Sequence, residues 1–270
     1  MDIQDTINQS VWSDRGALDW MAALQGFTDS GERAAYARIA DEMRLQPILD
    51  LGVGAGRTIP LLCAISPDYV AIDYQPAMVD IAKNRYPDVC IQLGDARDLS
   101  GFSDNSFSLV VFSHSGIDAV DHYGRSQIFR EASRVLKSQG VFWFSTLNLD
   151  GAEPDRRPWA VRWPDFGEPV VDYTVAVLRA LKSAALGTAN FFRLKQFQAR
   201  GDGWLVAPFF AHDYGLLTHY TTLPHLRLEL EKFGFDSDIE VIDPNGRFLR
   251  ATERVAGIDF FNILARKAHR

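Results

Sequence analysis

Between Asp50 and Thr58 the chain runs Asp-Leu-Gly-Val-Gly-Ala-Gly-Arg-Thr. Three glycines at alternate positions, Gly52, Gly54 and Gly56, let a backbone turn sharply and let a ligand approach it without meeting side chains. The apolar run Ile48 to Leu51 before them predicts a buried strand, and Thr58-Ile59-Pro60-Leu61-Leu62 opens a helical pattern after them. The first N–H groups of such a helix have no partners within it and attract an anionic group such as a carboxylate. The stretch therefore reads as a nucleotide-type ligand site at the end of the first strand of an α/β sheet. Asp73 closes the next apolar run, Tyr69 to Ile72. In doubly wound sheets an acid there accepts hydrogen bonds from ribose hydroxyls. His114 directly follows the apolar run Phe107 to Phe112, with Asp118 four residues on. Histidine titrates near neutral pH, so it suits taking a proton from a hydroxyl or ammonium group. His212, Asp213 and His219 are rivals for that role from a later segment.

Spacing narrows the ligand. Dinucleotide loops use Gly-x-Gly-x-x-Gly, whereas here the third glycine comes one residue early and Arg57 stands in its place. Asp50-x-Gly-x-Gly-x-Gly resembles the first motif of the class I S-adenosylmethionine-dependent methyltransferases. Asp73-Tyr74-Gln75-Pro76-Ala77-Met78 resembles their second motif, and Gly94-Asp95-Ala96 their third. The resemblance implies that Asp73 binds ribose and that Tyr74 or Met78 packs on the adenine ring. It also implies that Asp95 accepts from the adenine amino group beside the Ala96 backbone. Ser113 would contact the cofactor, and His114 would meet cofactor and acceptor together. The resemblance covers Ile48 to Asn148, including Glu131 to Gly140, where Ser138-Gln139-Gly140 replaces the family's Pro-Gly-Gly.

What it implies is an α/β fold, a doubly wound sheet of seven mostly parallel strands. The last strand, Phe260 to Ala265, would be antiparallel and inserted between strands five and six. The implied reaction moves a methyl group from S-adenosylmethionine to an O or N atom of a small-molecule acceptor by in-line displacement. S-adenosylhomocysteine would be left behind. An amine acceptor needs only alignment, while a hydroxyl needs a base, for which His114 is the candidate. Asp118, His212, Asp213, His219 and Tyr220 are candidate acceptor contacts. A non-catalytic cofactor-binding module and a nicotinamide oxidoreductase are the alternative readings. The early third glycine and the antiparallel finish count against the latter.

The elements that must position these residues follow the alternating pattern of a parallel sheet. Predicted strands are Ile48–Leu51, Tyr69–Asp73, Val89–Leu93, Phe107–Phe112, Val141–Thr146, Asp238–Ile242 and Phe260–Ala265. Residues 1–45 read as a helical cover, with helices near residues 15–25 and from Arg33 to Met43, the latter capped by Ser30. Gln127 to Lys137 reads as a helix ended by Gln139-Gly140. Residues 149–221 break the rhythm and read as an insertion. It would hold helical Val171 to Gln198, interrupted near Gly187, then two short strands, and would serve as a lid over the acceptor. The remaining segments, 46–148 and 222–270, form the Rossmann-like domain.

The chain has 270 residues and a net charge of −7, which argues against a nucleic-acid surface. Arg156, Arg157 and Arg162 form a local basic cluster that reads as a solvated loop. Cys63 and Cys90 sit in apolar contexts and read as buried free thiols. Neither the cysteines nor any Asp/His spacing suggests a metal site. No run reaches membrane-spanning length, and the polar start gives no secretory leader. A cytoplasmic monomer or homodimer is the expectation.

Overall fold

Ile48–Leu51 is buried along its whole length, with no residue more than 1% exposed. Such continuous burial belongs to a strand flanked on both sides and covered on both faces. In a computed structural model, describing residues 3–152, 154, 156–161, 170–250 and 253–269, this strand (β1) lies mid-sheet. It pairs in parallel with β2 (Tyr69–Asp73) on one side and β4 (Phe107–Phe112) on the other. β3 (Cys90–Leu93) is the edge beyond β2, and β5 (Leu136–Leu147) lies beyond β4. Three short strands, β6 (Ala199–Gly201), β7 (Trp204–Phe209) and β8 (Leu216–Thr221), make a separate antiparallel sheet. β9 (Glu240–Ile242), β10 (Phe248–Leu249) and β11 (Phe260–Arg266) complete the main sheet. Its order is β10-β9-β11-β5-β4-β1-β2-β3.

β11 runs antiparallel between β5 and β9, as expected of the last strand. The sheet has eight strands rather than seven, because Phe248–Leu249 folds back on β9 as a hairpin. Alternate residues serve opposite faces. Leu49 and Leu51 join a core with α6 (His122–Val135) and α8 (Leu223–Lys232). Ile48 joins the other core, with α3 (Ser30–Ile39), α4 (Ile59–Ile65) and α5 (Pro76–Arg85).

Several boundaries differ from expectation for identifiable reasons. α3 is capped by Asp29 rather than Ser30, the Asp29 carboxylate accepting from the Glu32 N–H at 2.8 Å. α6 begins at His122, where Asp121 caps it through the Gly124 N–H, and ends at Val135. Gln139-Gly140 therefore lies within β5, in a stretch where the register against β4 shifts. α7 (Val170–Leu194) runs through Gly187 unbroken. A Cβ there would stand 3.2 Å from the Tyr214 ring, so the glycine admits a close neighbour rather than ending the helix. Cys90 is exposed on the edge strand and Cys63 half-buried; both are free. Arg162 lies outside the described residues, while Arg156 pairs with Asp259 at 3.2 Å and covers the Phe210 ring. Among the described residues no helix is long and apolar enough to cross a membrane.

Two helices precede α3. α2 (Arg15–Ala23) was expected, and α1 (Ile3–Trp12) was not. The buried residues of α1 are Gln4, Asp5 and Asn8. Asn8 donates to the Leu217 and Ala119 carbonyls and accepts from the Leu217 N–H, so it ties α1 to β8 and to the loop after β4.

Candidate cofactor and acceptor site

The loop after β1 needs left-handed backbone at three places, with φ of +62° at Gly52, +55° at Gly54 and +86° at Gly56. Only glycine takes that region without strain. Asp73 holds the loop to β2. Its carboxylate accepts from the Gly54 N–H and the Gln75 N–H, both at 2.8 Å. Burial pushes its pKa above the ordinary aspartate value, against the pull of these two N–H groups. Asp50 sits behind the loop. One of its oxygens accepts from the Thr58 hydroxyl at 2.8 Å and the Tyr69 hydroxyl at 2.7 Å. Burial raises its pKa to about 6.

The strand order reverses between β1 and β4, the place where open α/β sheets bind ligands. A small cavity of about 40 Å³ lies there, lined in part by Gly52, Tyr74, Gly94, Asp95, Ala96 and Phe112. The donor set suits a nucleoside. Asp73 and Asp95 are acceptors for hydroxyl and amino groups, and Tyr74 offers a ring face. The space is narrow because the Phe112 ring lies across Gly52, where a Cβ would stand 2.5 Å from it. Arg97 also closes the crevice, binding Asp95 at 2.6 Å and Asp5 of α1 at 2.7 Å. Met78 is 3% exposed and lines neither this cavity nor the larger one, whereas Tyr74 lines this one. Ser113 accepts a hydrogen bond from Arg57 at 2.9 Å.

The larger cavity, about 530 Å³, opens beside the exit of β4. His114 and Ser115 reach its wall on left-handed backbone, φ +55° and +54°. Such non-glycine strain is held in place by surrounding contacts, here a 2.6 Å hydrogen bond from the Ser115 N–H to the Ser145 hydroxyl. Trp12 and Trp20 come from the N-terminal helices, and Phe209, His212, Leu216 and Thr218 from the insertion. The Trp20 ring neighbours two histidines, 6.1 Å from His114 and 5.8 Å from His212 between centroids. Burial lowers the pKa of both histidines; at His114 the Arg57 cation adds to the effect and Glu32 opposes it. Each is thus a neutral base at pH 7. Asp29 also lines this wall, its pKa raised by burial.

Of the acceptor contacts expected from sequence, His212 joins His114 in the wall. Asp118 does not. It is fully buried, paired with Arg125 at 2.5 Å, and accepts from the Thr146 hydroxyl and the Leu147 N–H. Burial raises its pKa to about 7, against the Arg125 cation. His219 leaves β8 on the side opposite Thr218, as strand alternation requires, and is also fully buried. Tyr220 packs with Leu147 and Ala207 in a small core of its own. Asp213 accepts from the Ser183 hydroxyl of α7 and is absent from this wall. Sequence reasoning missed Asn8, Asp29, Ser145 and Phe260. The one signal for the wall was the aromatic content of residues 12–27 and of the insertion.

Residues 48–140 match the family described as a methyltransferase domain. Over these residues the chain is similar to S-adenosylmethionine-dependent methyltransferases. A probable S-adenosylmethionine-dependent methyltransferase of Mycobacterium tuberculosis is 26% identical over 125 residues, covering 46% of this chain and 44% of that one. A demethylmenaquinone methyltransferase of Renibacterium salmoninarum is 37% identical over 140 residues, 52% of each chain. The match thus spans about half the length of these relatives. Among solved structures, an S-adenosylmethionine-dependent methyltransferase from Mesorhizobium loti aligns with 87% of this chain and 97% of its own, at TM-score 0.58 and 19% identity. The 1,6-didemethyltoxoflavin-N1-methyltransferase of Burkholderia thailandensis, solved with 1,6-didemethyltoxoflavin and S-adenosylhomocysteine, aligns with 98% of this chain and 88% of its own. Its TM-score is 0.57 and its identity 13%. Asp73, at the end of β2, is the residue expected from the sequence to hold ribose. Asp73→Ala should weaken cofactor binding by roughly 1.5–3 kcal/mol, the worth of a hydrogen bond to a charged group. That is about ten- to 150-fold in Kd by titration calorimetry, and an unchanged Kd would show that the acid serves the loop alone.

Proposed function

We propose that the protein binds S-adenosylmethionine through Gly52, Gly54, Gly56, Asp73, Tyr74, Asp95 and Ala96, with Asp50 bracing the loop. It then transfers the methyl group to an O or N atom of a small, flat, aromatic molecule. The observation that carries this reading is the cavity of about 530 Å³ beside the β4 exit, walled by Trp12, Trp20, Phe209 and Phe260. Its size is that of a drug-sized ligand site, and aromatic rings hold a flat molecule by stacking. Relatives and neighbours named for quinone and toxoflavin methylation support an aromatic acceptor. Residues 1–45 and the insertion 149–221 act as the lid in this proposal.

The cofactor supplies a methyl group on a positively charged sulfur, whose departure leaves a neutral thioether. The chain's task is then to align the acceptor atom and to exclude water. Trp20, beside His114 and His212 in the wall, offers the ring face on which the acceptor stacks. For a hydroxyl acceptor, neutral His114 takes the proton. Because its folded pKa lies below the ordinary histidine value near 6.5, the rate should stay flat through neutral pH and fall only at more acid pH. His114→Ala should remove that acidic limb and cost about 10²–10⁴ in kcat. A variant with the wild-type rate and limb would leave alignment alone as the source of catalysis. The deciding experiment for the whole reading incubates the protein with methyl-labelled cofactor and a panel of phenols, quinols and heteroaromatic amines. Calorimetry finding binding of NAD but of neither sulfur nucleoside would overturn it.

A further inference from the structure

Three of the chain's six histidines meet outside the acceptor cavity. His122 opens α6, His219 comes from β8, and His225 stands on α8 one turn before Glu229. Nδ1 of His122 is 3.8 Å from Oε1 of Glu229, and Nε2 of His225 is 3.8 Å from Oε2. One ligand atom from each of His122, His225 and Glu229 lies within 4.8 Å of the others. Glu229 is only 6% exposed, yet neither of its carboxylate oxygens has a hydrogen-bond partner. The same holds for Nε2 of His225. A buried carboxylate without a hydrogen bond is costly. The nearest cation, Nε of Arg125, stays 3.6 Å away while its Nη1 is committed to Asp118 at 2.5 Å. The rings are held in place from outside. Trp204 of β7 stacks on His122 at 4.2 Å and 4°. Gly203, at φ +76°, lets its turn approach until a Cβ would stand 2.5 Å from Cβ of His225.

We propose that His122, His225 and Glu229 bind a divalent late transition ion, zinc by preference, which ties the start of α6 to α8 beneath the insertion's sheet. Two imidazoles and one carboxylate are a zinc-type donor set, whereas magnesium and calcium prefer oxygen alone. Zinc–nitrogen bonds of about 2.0–2.1 Å put tetrahedral ligands roughly 3.3 Å apart. The 3.8 Å separations therefore close by a few tenths of an ångström. Nδ1 of His122 now shares a hydrogen bond with Nε2 of His219 at 3.2 Å. Metal binding exchanges that bond for a coordinate bond, and the fourth position falls to water or to the released His219 nitrogen. The site was not legible as a spacing, because His122 is remote in sequence. Its one local sign is the pair His225 and Glu229 at i and i+4 on one helix face.

The test uses the full chain without a polyhistidine tag, stripped with a chelator and then titrated separately with Zn²⁺ and Co²⁺. Expected are one equivalent of zinc at low-micromolar affinity or tighter, a rise in Tm on loading, and the visible absorption of low-coordinate cobalt. His225→Ala and Glu229→Gln should each lose the equivalent and the absorption. Absence of stoichiometric uptake, or uptake unchanged in both variants, would overturn the site. Should a variant fail to fold, anomalous scattering from zinc-loaded wild-type crystals decides instead. Density between Glu229 and the two histidines sustains the proposal, and an ion only at His114 or His212 overturns it.

Discussion

Glu32→Ala is expected to lower the unfolding free energy by about 3–5 kcal/mol, the cost of leaving one partner of a buried pair uncompensated. Against a usual total of roughly 5–15 kcal/mol, that removes a large share of the stability. Arg57 occupies the position that a dinucleotide loop reserves for glycine, and its side chain turns inward. Its two terminal nitrogens each meet a Glu32 oxygen at 2.7 Å; the guanidinium also donates to the Gly26 carbonyl and to Ser113. Glu32 in turn accepts from the Thr28 N–H at 2.7 Å. The pair thereby joins the glycine loop, the start of α3 and the exit of β4, all three of which border the site. Urea unfolding of Glu32→Ala against wild type measures the effect. A loss below about 1 kcal/mol would reduce the pair to a surface-like contribution. The double variant Glu32→Leu with Arg57→Met should lose less than the single one, since no buried charge remains.

The same pair sets an acid limit. Burial alone would raise the Glu32 pKa, but the hydrogen bonds and charge of Arg57 outweigh it and hold the carboxyl below its ordinary 4.5. A depressed carboxylate contributes fully above the unfolded value and loses its contribution as pH falls through the folded one. The contribution is therefore complete above about pH 4.5 and disappears only in stronger acid.

What the sequence disclosed followed how each element is buried. β1, β2 and β4 were legible because central parallel strands are continuous apolar runs. The glycine loop and Asp73 were legible because their chemistry demands particular residue types at a short spacing. α1 was hidden because the face it buries is Gln4, Asp5 and Asn8, which an apolar-periodicity reading discards. Its partners are backbone groups of β8 and of the loop after β4, set by tertiary structure alone. The acceptor wall was hidden for a related reason. It is assembled from the N-terminal helices, the β4 exit, β5, the insertion and β11, so no local window contains it. Asp118 shows the opposite error. Its place beside His114 suggested a ligand, but the 3-10 turn Gly116–Ala119 rotates it inward to Arg125. Position in sequence located the loop and not the direction of the side chain.

Gly54→Val should abolish measurable binding of S-adenosylmethionine and S-adenosylhomocysteine. Gly54 holds φ +55°, a region that a β-branched side chain enters only with strain. Its N–H is one of the two backbone donors to Asp73, so any rotation that relieves the strain also releases the acid proposed to hold ribose. A Cβ at this position would stand 3.0 Å from the Met21 methyl of α2. That methionine is flexible and yields; the lost cradle does not return. α2 has an anchor outside the loop, since Arg85 of α5 donates to the Ala22 carbonyl at 2.8 Å. α2 should therefore stay docked in the variant while the loop surface is lost. Titration calorimetry with both sulfur nucleosides, beside a thermal unfolding scan, separates the two effects. A folded Gly54→Val protein with wild-type affinity would mean that the cofactor does not approach the loop backbone, and the assignment of the β1 loop would fall with it.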